Sequence, residues 1–91
     1  MRPLSHAAPG ALAELLRSTP LSPGKIDFAW KAAVGPAVQR VSAVRLENHV
    51  LLVEAATRHW AKEITRSAHV ILPRLQTLLG ESAVTAIRVR D

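Results

Sequence analysis

The chain has 91 residues, of which 48% are hydrophobic, and it contains no cysteine. This length and composition fit one small globular domain and exclude a disordered chain, disulfides, thiolate metal sites and cysteine nucleophiles. Twelve basic against seven acidic residues give a net charge of +5. Such a charge predicts attraction to a polyanion, either nucleic acid or an acidic protein, without indicating sequence specificity.

The N-terminal part of the chain is predicted to hold a flexible start and one helix. Residues 1–10 have the character of a frayed terminus, so the folded domain is expected to cover residues 11–91. Leu12, Leu15 and Leu16 stand at helical spacing and predict a short amphipathic helix. The prolines and the glycine of the following TPLSPG forbid its continuation.

A second helix is predicted through GKIDFAWKAAV. Ser22 is a good N-cap and Pro23 suits the first turn, so the helix is expected to begin there. Gly35 and Pro36 stop or kink this helix. A further turn is expected up to Arg40.

The periodicity then changes from that of a helix to that of a strand. VSAVRLENHVLLVEA predicts an antiparallel hairpin of residues 41–47 with residues 50–56. Asn48 lies between the two strands, and asparagine tolerates the left-handed conformation that a tight turn requires.

The longest helix is predicted over residues 58–79. Thr57 caps its start and Gly80 closes its end. Pro73 lies inside the pattern and is expected to kink the helix or split it in two. The tail AVTAIRVR then alternates as a half-buried third strand. The order helix, helix, strand, strand, helix, strand predicts an α+β domain whose three-stranded sheet packs against its helices.

A helical wheel, at about 100° per residue, separates two faces of the 58–79 helix. One face is an apolar arc that is expected to pack on the sheet, with a tryptophan at its edge. With the second helix, this arc gives the expected core residues Trp30, Trp60, Ile64, Ile71 and Leu75. The sequence therefore favours a packing role for Trp60 over base stacking or contact with a partner protein.

The other face of the same helix carries a basic stripe of Arg58, Lys62 and Arg66, with His69 beside them. Lys62 and Arg66 form a like-charge pair that destabilises an isolated helix by about a few tenths of a kcal/mol. Glu63 falls off the stripe on the wheel. An uncompensated repulsion favours anion binding over a merely solvated face.

Three arginines on the predicted strands are further candidates for anion contact: Arg45, Arg88 and Arg90. They are expected to extend the basic surface. Pairing of Glu54 with one of them across the sheet is an equally good interpretation.

The sequence contains no catalytic or metal-binding pattern. The histidines lack metal-ligand spacing, and no P-loop or nucleophile-elbow glycines surround the serines and aspartates. No apolar run approaches the about 20 residues of a membrane helix, and MRPLSHAAPG lacks the apolar core of a signal peptide. We therefore expect a cytoplasmic binding module, not an enzyme, without a metal, cofactor, small-molecule substrate or membrane contact.

Three segments together, FAWKAAVG, VRLENHVLLVEAATRHWAKEI and VILPRLQTLLGESAVTAIRVR, resemble the DciA family of bacterial replicative-helicase loaders. The shared pattern is a Trp before Val-Gly, an apolar second hairpin strand, a Trp-Ala-x-Glu-aliphatic helix start, a Leu-rich helix ending near Gly, and a final Ile-Arg-x-Arg strand. The matching positions are Trp30, Val34, Gly35, Trp60, Ala61, Glu63, Ile64, Leu75, Leu79, Gly80, Ile87 and Arg88. The turn Glu47-Asn48-His49 departs from the family, whose turn usually contains a glycine.

The resemblance implies a KH-like fold over residues 11–91, binding to single- or double-stranded DNA, and recruitment of the DnaB-type replicative helicase. Phosphates would be held by the helical and strand cations named above. No GxxG loop of the KH type is present, so sequence-specific readout of a single strand is not expected. Two other functions stay open at this point: a protein-interaction module that docks on an acidic partner, and a KH-like RNA-associated protein.

Overall fold

Three helices and three strands lie between Pro23 and Arg90 of the computed structural model, which describes residues 21–91. In chain order they are α1 (Pro23–Val34), α2 (Pro36–Arg40), β1 (Ser42–Glu47), β2 (Val50–Ala55), α3 (Arg58–Leu79) and β3 (Ala86–Arg90). The α+β class and the order ααββαβ are confirmed, with the further turn after Gly35 forming α2. The predicted helix around Leu12 and the expected boundary at residue 10 lie outside the described residues.

Local capping explains where α1 begins and ends. The Ser22 side chain accepts a hydrogen bond from the Lys25 backbone N–H at 3.2 Å, and Pro23 occupies the first turn. Gly35 ends the helix with φ of +89°, a conformation that favours glycine, and its N–H donates to the Lys31 carbonyl at 2.8 Å. The predicted cap and stop are confirmed.

The hairpin of β1 and β2 is antiparallel, as predicted, and is one residue shorter at each outer end. Glu47 pairs with Val50, which leaves Asn48 and His49 as a two-residue turn. Both turn residues have positive φ, 50° and 67°, as a type I′ turn requires. Asparagine and histidine are among the non-glycine residues enriched at positive φ, so this turn forms without a glycine.

The third strand runs parallel to β2, so that the sheet is mixed and has the order β1-β2-β3. A parallel pair needs a long crossover connection, and α3 supplies it. The start of β3 is held against the hairpin turn, because the Thr85 N–H and Oγ1 both donate to the His49 carbonyl, at 2.7 and 3.1 Å. The sequence had predicted the three strands but not their order.

The crossover helix α3 begins at the predicted cap, where the Thr57 Oγ1 accepts from the Trp60 backbone N–H at 3.2 Å. It ends before Gly80, which has φ of +106°. Pro73 lies inside the helix without splitting it, so that part of the expectation is wrong. Proline removes one backbone hydrogen bond, but Ile71 and Leu75 on either side are buried in the core and hold both halves of the helix to it.

The core lies between the helices and one face of the sheet. Leu51, Val53 and Ala55 of β2 point into it and meet buried side chains of α1 and α3. Of the expected core residues, Trp30, Ile64, Ile71 and Leu75 are buried, and Trp60 is partly buried at the edge. The helices of residues 21–91 cover only this side. The alternate strand residues form a second face, which we call the outer face: Ala43, Arg45, Glu47, Val50, Leu52, Glu54, Ala86, Arg88 and Arg90.

Candidate nucleic-acid interface

The basic side chains of α3 lie together on its solvent side. Arg58, Lys62, Arg66 and His69 are all exposed, whereas the residues on the opposite side of the helix pack into the core. We call Arg58, Lys62 and Arg66 the α3 stripe. The first turn of the helix contains Arg58 and no acidic residue, although the helix dipole favours acidic residues there. This placement costs some helix stability, which is consistent with a use in binding.

Two of the three stripe cations have weak acidic neighbours. The Arg58 Nε lies 3.8 Å from the Asp91 Oδ2, and the Arg66 Nη1 lies 3.4 Å from the Glu63 Oε1. Within residues 21–91, Lys62 has no acidic partner. The wheel had placed Glu63 off the stripe, but an arginine side chain is long enough to reach a carboxylate three residues earlier. Exposed pairs of this length contribute at most about 1 kcal/mol, so a phosphate group can replace either carboxylate.

Trp60 lies outside the stripe and packs at the rim of the core. Its ring stands edge-on to that of His59, with centroids 5.8 Å apart and an interplanar angle of 71°. It also lines a groove of about 280 Å³ between α3 and the first two helices, with Val34 and Val38 among the other walls. The tryptophan therefore fixes α3 to α1 and α2, and its ring is not presented beside the stripe cations.

Substituting Trp60 tests this division of roles. We expect Trp60→Ala to lower the free energy of unfolding by roughly 1.5–3 kcal/mol, below the loss for a fully buried tryptophan, because the ring is only partly buried. DNA affinity, measured by fluorescence anisotropy at a temperature where the variant is folded, should change by less than about twofold. An equally stable variant that has lost DNA affinity would instead identify Trp60 as a contact residue.

The strand arginines lie on the outer face, where two of them are paired. The Arg45 Nε is 2.7 Å from the Glu47 Oε2, and the Arg90 Nη2 is 3.0 Å from the Glu54 Oε2. The cross-strand pairing of Glu54 that the sequence left open is therefore present, with Arg90. Arg88, two residues before Arg90 on β3, has no acidic partner among the described residues.

The six candidate cations form two groups rather than one surface. Since α3 covers the inner side of the sheet, the α3 stripe and the outer face point to opposite sides of the domain. They approach each other at the end of β3, where Arg58 reaches Asp91. The structure brings the three helical cations together and the three strand arginines together, and it separates the two groups.

A basic residue that sequence reasoning did not single out has a structural role. The Arg74 Nη1 donates to the Ala33 carbonyl at 3.0 Å, at the C-terminal end of α1. A cation is favourable at this end of a helix, so Arg74 ties α3 to α1. On the helical wheel, Arg74 falls well away from the α3 stripe. This position was the one sign in the sequence that Arg74 has a different role from the stripe cations.

Within residues 21–91, no three His, Asp or Glu side chains are grouped so as to bind a metal ion. The same part of the chain contains no helix with the length and hydropathy of a membrane span.

The match to known proteins comes from one family model. A model described as "Dna[CI] antecedent, DciA" matches residues 3–89, nearly the whole chain. No curated protein and no solved structure matches. The family implies a role in loading the DnaB-type replicative helicase during replication. On the extent of this match, the chain belongs to the DciA family.

Proposed function

We propose that this chain is a DNA-binding adaptor that brings the DnaB-type replicative helicase to DNA, and that the α3 stripe is its contact with the phosphate backbone. The helicase side of the proposal is supported by the family match. The DNA side is supported by one observation above all: Arg58, Lys62 and Arg66 are exposed together on one face of a helix, and within residues 21–91 only two long ion pairs restrain them. This proposal places the chain in the cytoplasm, at the nucleoid.

The physical basis of the contact is charge without base recognition. Arginine and lysine on a helix surface can neutralise phosphates of either single- or double-stranded DNA. Trp60 does not offer its ring beside the stripe cations for stacking a base, since that ring packs toward the core. We therefore expect affinity with little dependence on base sequence.

The strand arginines are left out of this primary contact. DNA that lies along the α3 stripe would have to pass around the edge of β3 to reach Arg45, Arg88 or Arg90. Two of these three are also neutralised by glutamates on the same face.

A salt titration tests the electrostatic mechanism. Release of counterions from at least three phosphates predicts a slope of log affinity against log salt of about −2.7 or steeper on duplex DNA, and about −2 or steeper on a single strand. Binding is measured by fluorescence anisotropy with labelled oligonucleotides between 50 and 200 mM salt, a range over which such slopes are resolved. Affinity that stays flat over this range would rule the mechanism out. RNA of the same length, measured in parallel, separates a DNA adaptor from an RNA-associated protein.

A further inference from the structure

Two carboxylates lie beside the arginines of the α3 stripe, where a phosphate group would have to bind. The Glu63 Oε1 is 3.4 Å from the Arg66 Nη1, and the Asp91 Oδ2 is 3.8 Å from the Arg58 Nε. Each carboxylate therefore takes up part of a guanidinium group that the proposed contact assigns to DNA. A phosphate that binds either arginine has to displace the carboxylate or share the guanidinium group with it.

Glu63 is the better placed of the two acidic residues. It stands three residues before Arg66 on the same helix, and residues at this spacing are neighbours on the helix surface. Its side chain is 39% exposed against 74% for that of Arg66, and it also lines the groove beside Trp60. A partly covered side chain has fewer rotamers to lose, so the cost of holding the carboxylate close to the guanidinium group is reduced.

Lys62 differs from both arginines of the stripe. It lies between them, about 6 Å from each along the helix axis. No carboxylate of residues 21–91 is paired with it. A phosphate can therefore bind Lys62 without displacing another group, whereas its contact with Arg58 or Arg66 is weakened by competition.

We propose that Glu63 and Asp91 are built-in competitors of phosphate, which hold the DNA affinity of the α3 stripe below the value that three unpaired cations would give. The inference rests on the proposed DNA contact and adds how that contact is limited. Exposed ion pairs of this length are weak, so each competitor lowers affinity by a small factor: about threefold for Glu63, and less for Asp91, whose pair is longer. Each carboxylate also repels the phosphate backbone from the same place.

The test measures DNA affinity after one carboxylate is replaced by the amide of the same shape. Glu63→Gln removes the charge and keeps the length and the helix propensity of the side chain. Fluorescence anisotropy with a labelled single-stranded oligonucleotide should show binding about threefold tighter than that of the native protein, at about 50 mM salt, where exposed charges are weakly screened. Asp91→Asn should act in the same direction by a smaller factor. Circular dichroism verifies that both variants are folded.

The matched control is Glu81→Gln, which changes the net charge by the same amount. Glu81 is exposed, follows the C-terminal end of α3, and has no ion pair with another residue of the range 21–91. We expect this variant to change DNA affinity by less than about 1.5-fold, because Glu81 lies at the far end of the helix from the stripe. Equal gains from Glu63→Gln and Glu81→Gln would mean that net charge sets the affinity, and would overturn the proposal.

A double-mutant cycle shows whether Glu63 acts through Arg66. In a protein that already carries Arg66→Gln, most of the gain from Glu63→Gln should disappear, because no guanidinium group is left to be freed. The proposal is overturned if the gain persists undiminished without Arg66, or if Glu63→Gln gives no gain in the native background.

Lys62→Gln separates failure of this inference from failure of the DNA contact, since Lys62 has no competing carboxylate within residues 21–91. If Lys62→Gln weakens DNA binding while Glu63→Gln gives no gain, the competitors are ruled out and the DNA contact stands. If Lys62→Gln and Arg66→Gln both leave DNA affinity unchanged, the α3 stripe is not the contact, and both proposals are wrong.

Discussion

Reversing the three charges of the α3 stripe should lower DNA affinity by roughly 100-fold, because three charge-assisted contacts at about 1 kcal/mol each multiply to that factor. The change is Arg58→Glu, Lys62→Glu and Arg66→Glu in one protein. All three side chains are exposed, so the fold should be retained, with a small cost from the new repulsion between residue 66 and Glu63. Anisotropy gives the affinity, and circular dichroism verifies that the protein is folded.

A second variant separates the position of the charges from their number. Lys31, Arg40 and Arg88 are exposed, lie outside the stripe and have no acidic partner among the described residues. Reversing these three to glutamate changes the net charge by the same amount. We expect it to weaken DNA binding far less than reversal of the stripe. Equal losses in the two variants would mean that overall charge, and not the α3 stripe, determines binding.

The largest loss of stability is expected at Trp30, which is 1% exposed and links three elements. Its Nε1 donates to the Ser42 Oγ at 2.9 Å, and that hydroxyl donates to the Val38 carbonyl at 2.6 Å. Trp30→Ala removes the ring and the hydrogen bond together and should cost about 3–5 kcal/mol. Because domains are stable by only about 5–15 kcal/mol, a small one should then be largely unfolded near 37 °C.

Denaturant unfolding followed by circular dichroism measures this loss. Trp30→Phe is the matched variant, since it keeps an aromatic ring and removes the indole N–H; it should cost about 1–2 kcal/mol. If Trp30→Ala lowered the unfolding free energy by less than about 1 kcal/mol, the link from α1 to β1 would be unimportant for stability.

The helix boundaries were predictable because they depend on local chemistry. Ser22 and Thr57 accept hydrogen bonds from the first turns of α1 and α3, and Gly35 and Gly80 adopt positive φ at their ends. Each signal acts within a few residues, so it is visible in the sequence. The parallel placement of β3 beside β2 is different. This placement depends on how α3 crosses the sheet. The alternation of apolar and polar residues in β3 does not show which strand pairs with it.

The candidate site, like the fold, was predictable only as far as local chemistry within one helix or strand determines it. Helical periodicity shows that Arg58, Lys62 and Arg66 point away from the core, because a helix fixes the relative direction of its own side chains. It does not show how far a side chain reaches, which is why the contact of Glu63 with Arg66 was missed. The separation of Arg88 from the α3 stripe depends on the topology of the sheet, which periodicity does not determine.

The most direct test of the adaptor is the amount of DnaB-type helicase retained on immobilised single-stranded DNA, with and without this chain. The native protein should raise retention, because the proposed adaptor would bind the helicase and the phosphate backbone together. The variant with Glu at positions 58, 62 and 66 should still bind the helicase in solution and should not raise its retention on DNA. Retention raised equally by the variant and by the native protein would contradict the central claim that the α3 stripe joins helicase to DNA.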